Sequence, residues 1–169
     1  RSRPAVGQIA LQARGPMRAA LSYIDNDAWR VLAKAGRDPG LATGRAQISG
    51  RITLPLVKGV KLDGIELDLS GRLRDLRSDV LVRGRVLTAD DLAVSLNSRQ
   101  VVIDGPVALS GVRARGRWEQ PLQGGNGRVS ARVDLDAAAL NAFGIALPPG
   151  MVSGRGAGDL TVDLVKGRP

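Results

Sequence analysis

Apolar and polar residues take turns along most of this chain, and that rhythm limits the possible folds more than any other feature. In GRAQISGRITLPL, Gly44 to Leu56, the residues Ala46, Ile48, Gly50, Ile52 and Leu54 fall on one side. Arg45, Gln47, Ser49, Arg51 and Thr53 fall on the other. A period of two belongs to an extended strand, whose successive side chains point to opposite faces. At roughly 3.3 Å per residue the run from Gly44 to Leu54 spans about 36 Å, about twice an ordinary strand.

The rhythm returns again and again. Ile65, Leu67, Leu69, Gly71 and Leu73 alternate with Glu66, Asp68, Ser70, Arg72 and Arg74, and Leu92, Val94 and Leu96 with Ala93, Ser95 and Asn97. Val101 and Ile103 open one further strand, and Val107, Leu109 and Gly111 the next. Val112, Ala114, Gly116 and Trp118 form another set, then Val129, Ala131, Val133 and Leu135, then Gly154 through Leu164. The turn signals VKGVKLDG, IDGP and QPLQGGNG separate them. Connections this short join antiparallel neighbours, because a parallel crossover needs a dozen residues or more. Glycines inside the strands (Gly50, Gly71, Gly111, Gly116, Gly154) permit bulges or bends. The expected fold is mainly β: a long, curved, antiparallel sheet forming an open groove, dry on one face.

Two stretches change period. Between about residues 16 and 35, Met17, Ala20, Leu21, Ile24, Ala28, Val31, Leu32 and Ala35 recur at helical spacing. Pro16 suits a first helical turn, Gly36 suits the residue beyond a last one, and Asp25-Asn26-Asp27 favours a break between two short helices. In DLDAAALNAFGIALPPG a second short helix runs from an Asp136 cap to about Phe143. Leu21, Ile24, Val31 and Leu32 are the expected plug that packs on the dry face, since so short an amphipathic helix needs a surface to bury against.

Composition narrows the function. There is neither cysteine nor histidine, which removes disulfides, thiolate chemistry and imidazole-based sites. The only carboxylate pairs of interest are Asp90-Asp91 and Asp134-x-Asp136. Neighbours in a strand face opposite ways and Asp136 reads as a cap, so no enzyme and no cofactor are expected. The net charge of +9 raises nucleic acid or an anionic surface as partners. Single-strand binders need aromatic platforms, and only Trp118 lies in a strand; Tyr23, Trp29 and Phe143 fall in the helical stretches. Nucleic acid is therefore not an expected partner. Of 25 basic residues only Lys34, Lys58, Lys61 and Lys166 are lysine. Many arginines (Arg45, Arg51, Arg72, Arg113, Arg115, Arg117, Arg128, Arg132, Arg155) take the wet side of strands, as a solvated sheet face or as an anion-binding patch. No apolar run reaches the ~20 residues of a membrane span. RSRPAVGQ has neither a start Met nor a signal-peptide core, and VKGRP stops just after a strand pattern. The expectation is one fragment, residues 1–169, of a larger protein.

Over about residues 10–165 the order and spacing resemble the central region of YhdP-type proteins of the AsmA-like superfamily. The resemblance rests on Gly36-Arg37-Asp38-Pro39 after the helical pair, on Leu54-Pro55-Leu56 with Lys61 and Asp63 following, on the spacing of Val101–Gly111, and on the closing Trp118. VLVRGRVL, within Asp79–Thr88, departs from that pattern in being more basic. The resemblance implies a bridge-like lipid-transfer protein of the TamB and YhdP kind. Such a protein is anchored in the inner membrane by a segment outside this fragment and lies in the periplasm. Neighbouring β-groove segments of the same parent chain would continue the groove, which would carry phospholipid acyl chains between inner and outer membranes. The residues expected to line it are Ile48, Ile52, Leu54, Ile65, Leu67, Leu69, Leu92, Val94 and Leu96. The other reading is a structural or protein-binding β-module of the cell envelope.

Overall fold

The computed structural model describes residues 5–24, 39–56 and 64–164, apart from 147, 149 and 152. Eight strands follow one another as β1 (Val6–Pro16), β2 (Thr43–Pro55), β3 (Glu66–Val82), β4 (Arg85–Asn97), β5 (Gln100–Leu109), β6 (Val112–Pro121), β7 (Gly127–Leu135) and β8 (Gly156–Leu164). Each pairs antiparallel with the next, giving a single sheet in the order of the sequence. β1 and β8 stay at the two edges, so the sheet is a curved open groove and not a barrel. Helix α1 (Met17–Ile24) follows β1, a 3-10 turn (Pro39–Leu41) precedes β2, and α2 (Ala137–Ala142) follows β7. No helix among the described residues is long and apolar enough to cross a membrane.

The alternation behaves as its period requires. Arg45, Gln47, Ser49, Arg51, Asp68, Ser70, Arg72 and Arg74 are exposed, while Leu67, Leu69 and Leu73 between them are buried. The strands are longer than expected. β3 has 17 residues and β4 13, because VLVRGRVL is the tip of their hairpin, turning at Arg83-Gly84. A strand of that length can keep one face inward only if its parity is corrected on the way, since a shift of one residue exchanges the faces. β-Bulges make the correction. The β2–β3 register shifts between Thr43 and Arg45, beside Asp75 with its positive φ of 53°, and the β4–β5 register shifts between Thr88 and Ala93. Leu73 and Leu92 before the shifts and Leu76 and Ala89 beyond them therefore share one cluster. Gly44 makes room for this bulge: it has φ of 139°, and a Cβ there would lie 2.8 Å from the Arg74 carbonyl oxygen.

One turn expectation is corrected. Asp104-Gly105-Pro106 is not a turn but the middle of β5, so Val101–Ile103 and Val107–Leu109 belong to one strand. Proline lacks the N–H that a central ladder needs, yet Pro106 stands where pairing with β4 is interrupted. QPLQGGNG does turn the chain, between β6 and β7, whereas most of VKGVKLDG lies outside the described residues.

The packed core gathers at one end of the strands. Met17 from α1 joins Ala42, Ala46, Leu73, Leu76, Ala89 and Leu92, with Leu41, Leu87, Val94, Ile103 and Val107 against them. Ser78 Oγ donates to the Leu41 carbonyl and accepts from the Val80 and Leu81 amides, so the 3-10 turn is tied to the end of β3. At the other end Ser98 Oγ accepts from the Leu67 amide and donates to the Ile65 carbonyl, holding the β4–β5 turn against the start of β3.

Candidate apolar surface

Strand pairing assembles the alternating residues into rows, because partners in register lie on the same face about 4.8 Å apart. One row crosses the whole sheet without a break. It runs from Ala13 through Ile48, Gly71, Val94, Ile103, Trp118 and Val129 to Val162. Seven such steps make about 34 Å. Beside it, Leu11, Gly50, Leu69, Leu96 and Val101 form a second row, and Ile9, Ile52 and Leu67 the start of a third.

The nine residues expected to line a groove lie close together on the dry face of β2, β3 and β4. Leu67, Leu69 and Leu92 are buried, while Ile48, Ile52, Leu54, Ile65, Val94 and Leu96 keep partial exposure. Ile65 sits just before β3. Sequence reasoning missed the rest of the surface: Ile9, Leu11 and Ala13 on β1, and Ile103, Trp118, Val129 and Val162 towards the far edge. Their alternation was visible, but only the register connects them to Ile48 and Val94. At the edges the apolar face opens to solvent, with Ile9 51%, Leu160 55% and Val162 42% exposed.

The helices cover one margin of this face. α1 packs on β1 and β2, the 3-10 turn on β3, and α2 on β7. Of the expected plug, Leu21 and Ile24 fall within α1 but their side chains lie outside the described residues, as do Val31 and Leu32 altogether. Among the described side chains of α1, Met17 is the one in the core, at 3% exposure. The second helix matches its expected limits. Asp136 is extended and its Oδ1 accepts the Ala139 amide at 2.7 Å, the ordinary N-cap arrangement, and Phe143 closes the other end.

α2 is also fastened across the margin. The Arg85 guanidinium donates to the Ala142 carbonyl and lies 5.1 Å from the centre of the Phe143 ring. A hydrogen bond to a charged donor plus a cation–π contact amounts to roughly 1–2 kcal/mol. Arg85→Ala should accordingly speed amide exchange in α2 about five- to thirtyfold while the strands keep their protection. Unchanged exchange at Phe143 would show that this fastening contributes nothing.

On the wet face some of the arginines form ion pairs. Arg45 meets Asp75, Arg117 meets Asp104 and Glu119, and Arg128 meets Asp163. Arg72 forks onto Asp91, with Nε donating at 2.9 Å. That hydrogen bond holds the Asp91 carboxyl below its ordinary value and raises the Arg72 guanidinium, as Asp163 raises Arg128. These contacts lie in solvent, so they order side chains more than they stabilise the fold. No family model matches the chain, and neither a curated protein nor a solved structure does.

Proposed function

We propose that this chain is a lipid-binding segment of a bridge-like periplasmic protein, carrying phospholipid acyl chains along its apolar face between inner and outer membranes. The observation that supports the reading best is the unbroken apolar row across all eight strands, which the helices among the described residues cover at one margin. Moving apolar surface out of water gains about 25 cal/mol per Å², so such a face recruits a hydrocarbon partner or aggregates. An acyl chain of about 15 Å, half of a ~30 Å hydrocarbon core, fits within the row. The face carries few groups that would select one chain over another, which suits a ligand that slides. The resemblance to YhdP-type proteins of the AsmA-like superfamily supplies the compartment, the inner-membrane anchor outside the fragment, and the neighbouring β-groove segments.

The test is capture. Native mass spectrometry of the purified chain should find bound phospholipid. A photo-reactive residue at Val94 or Leu67 should trap it, and the same probe at Ser95 or Asp68 should not. Val94→Asp should abolish capture in a chain that still folds, because a bare charge in hydrocarbon costs several kcal/mol. Equal labelling from both faces, or none, would leave a structural module of the envelope.

A further inference from the structure

The two edges of the sheet are open, and they match each other. Among the described residues β1 pairs with β2 alone and β8 with β7 alone. An edge strand presents unpaired N–H and C=O groups that another strand can complete, and lysine, proline or a bulge commonly blunts it. β1 has no lysine and its proline is the last residue, β8 has neither, and both keep an unshifted register. Val6 and Ile9 on β1, and Leu160 and Val162 on β8, are exposed.

Which backbone groups are unpaired follows from the phase of the ladder. The Leu56 amide donates to the Ala5 carbonyl at 2.7 Å. Bonded pairs recur every second residue, so Ile9, Leu11 and Ala13 bond to β2 while Gln8, Ala10, Gln12 and Arg14 aim their backbone groups outwards. At β5–β6 the Leu122 amide donates to the Arg99 carbonyl at 2.8 Å, so the dry pairs are bonded there too. Each residue bonds to one side, and the phase alternates from strand to strand. In β7–β8 the dry pairs are therefore bonded again, and Asp159, Thr161 and Asp163 aim outwards. The even number of strands also sets β8 antiparallel to β1. The edges agree in direction, in dry face and in hydrogen-bond phase.

One chain cannot use this match on itself. Eight strands close into a barrel with a stagger of about eight residues. The level row from Ala13 to Val162 would have to meet β1 that far out of step, and β1 has only 11 residues. A second copy has no such constraint. Setting Asp159 opposite Arg14, Thr161 opposite Gln12 and Asp163 opposite Ala10 puts Leu160 beside Ala13 and Val162 beside Leu11. The outward residues of β8 carry two carboxylates and no cation, and those of β1 a guanidinium and no carboxylate. Unlike edges attract, and two β8 edges repel.

We infer that the β8 edge takes β1 of a second copy, so that copies of the 169-residue chain add head to tail and extend one sheet. The contact goes beyond the lipid reading and does not depend on it.

Sedimentation velocity should show an open-ended series of oligomers that lengthens with concentration. Gln12→Pro and Thr161→Pro each remove an outward N–H that the folded chain does not use. Each should keep the melting temperature and weaken self-association about tenfold. Mixed, the two should recover the original affinity but stop at the dimer, because one free β1 and one free β8 remain. Arg14→Glu, which leaves the backbone alone, should weaken growth about fivefold, and Asp159→Arg in the same chain should restore it. A chain that stays monomeric at every concentration overturns the inference. Growth that survives both prolines overturns it as well, since the apolar faces would then be stacking. Dimers of Thr161→Pro alone would show β1 pairing with β1 and overturn it likewise. A monomer that still captures phospholipid would leave the lipid reading standing, and oligomers without lipid would leave the edge contact standing.

Discussion

Leu73→Asp should unfold the chain or lower its stability by about 4–5 kcal/mol, measured by chemical denaturation. Leu73 is 8% exposed and stands among Ala46, Leu76, Ala89 and Leu92, where a carboxylate would find no partner in the cluster. Leu73→Ala keeps the site apolar and should cost about 2–4 kcal/mol, the usual range for a leucine cavity. Leu160→Asp is the informative contrast. It changes a residue on the same face, but one 55% exposed at the edge strand, and should shift stability by no more than about 0.5 kcal/mol. Equal losses at Leu73 and Leu160 would mean that the packed cluster beneath α1 is not where the stability resides.

Gly71→Ala should cost about 3 kcal/mol although it adds a single methyl group. A Cβ at Gly71 would run into the carbonyl oxygen of Gln47 on β2. At Gly50, with φ of 151°, it would run into that of Asp68 on β3. The two backbones approach this closely because neither residue has a side chain there, and backbone cannot swing aside as a flexible side chain can. Gly15→Ala is the control: nothing lies within 4 Å of its Cβ position, and the change should be neutral or slightly stabilising. Should Gly71→Ala prove as harmless as Gly15→Ala, the close approach of β2 and β3 would not be needed for the fold.

How the faces, edges and helices came together divides between local and distant causes. The wet and dry faces followed from the period of two alone, as at Gly44–Leu54, because adjacent strand residues cannot share a face. From β2 to β7 the meander followed from short connections, and α2 from an Asp136 cap ahead of an alanine run. Each of these is settled by a few neighbouring residues. Asp104-Gly105-Pro106 carries every local mark of a turn and is strand, because a bulge in β4 frees Pro106 from a ladder bond that it cannot make. The parity of Leu76 and Ala89 depends on the same irregularities, which no window of alternation reveals. The apolar row from Ala13 to Val162 joins residues up to 149 positions apart through seven registers, and register is a property of pairs of strands. Alternation within a strand therefore determined what faces water and what does not. Pairing between strands decided which dry residues touch and where the face stays open.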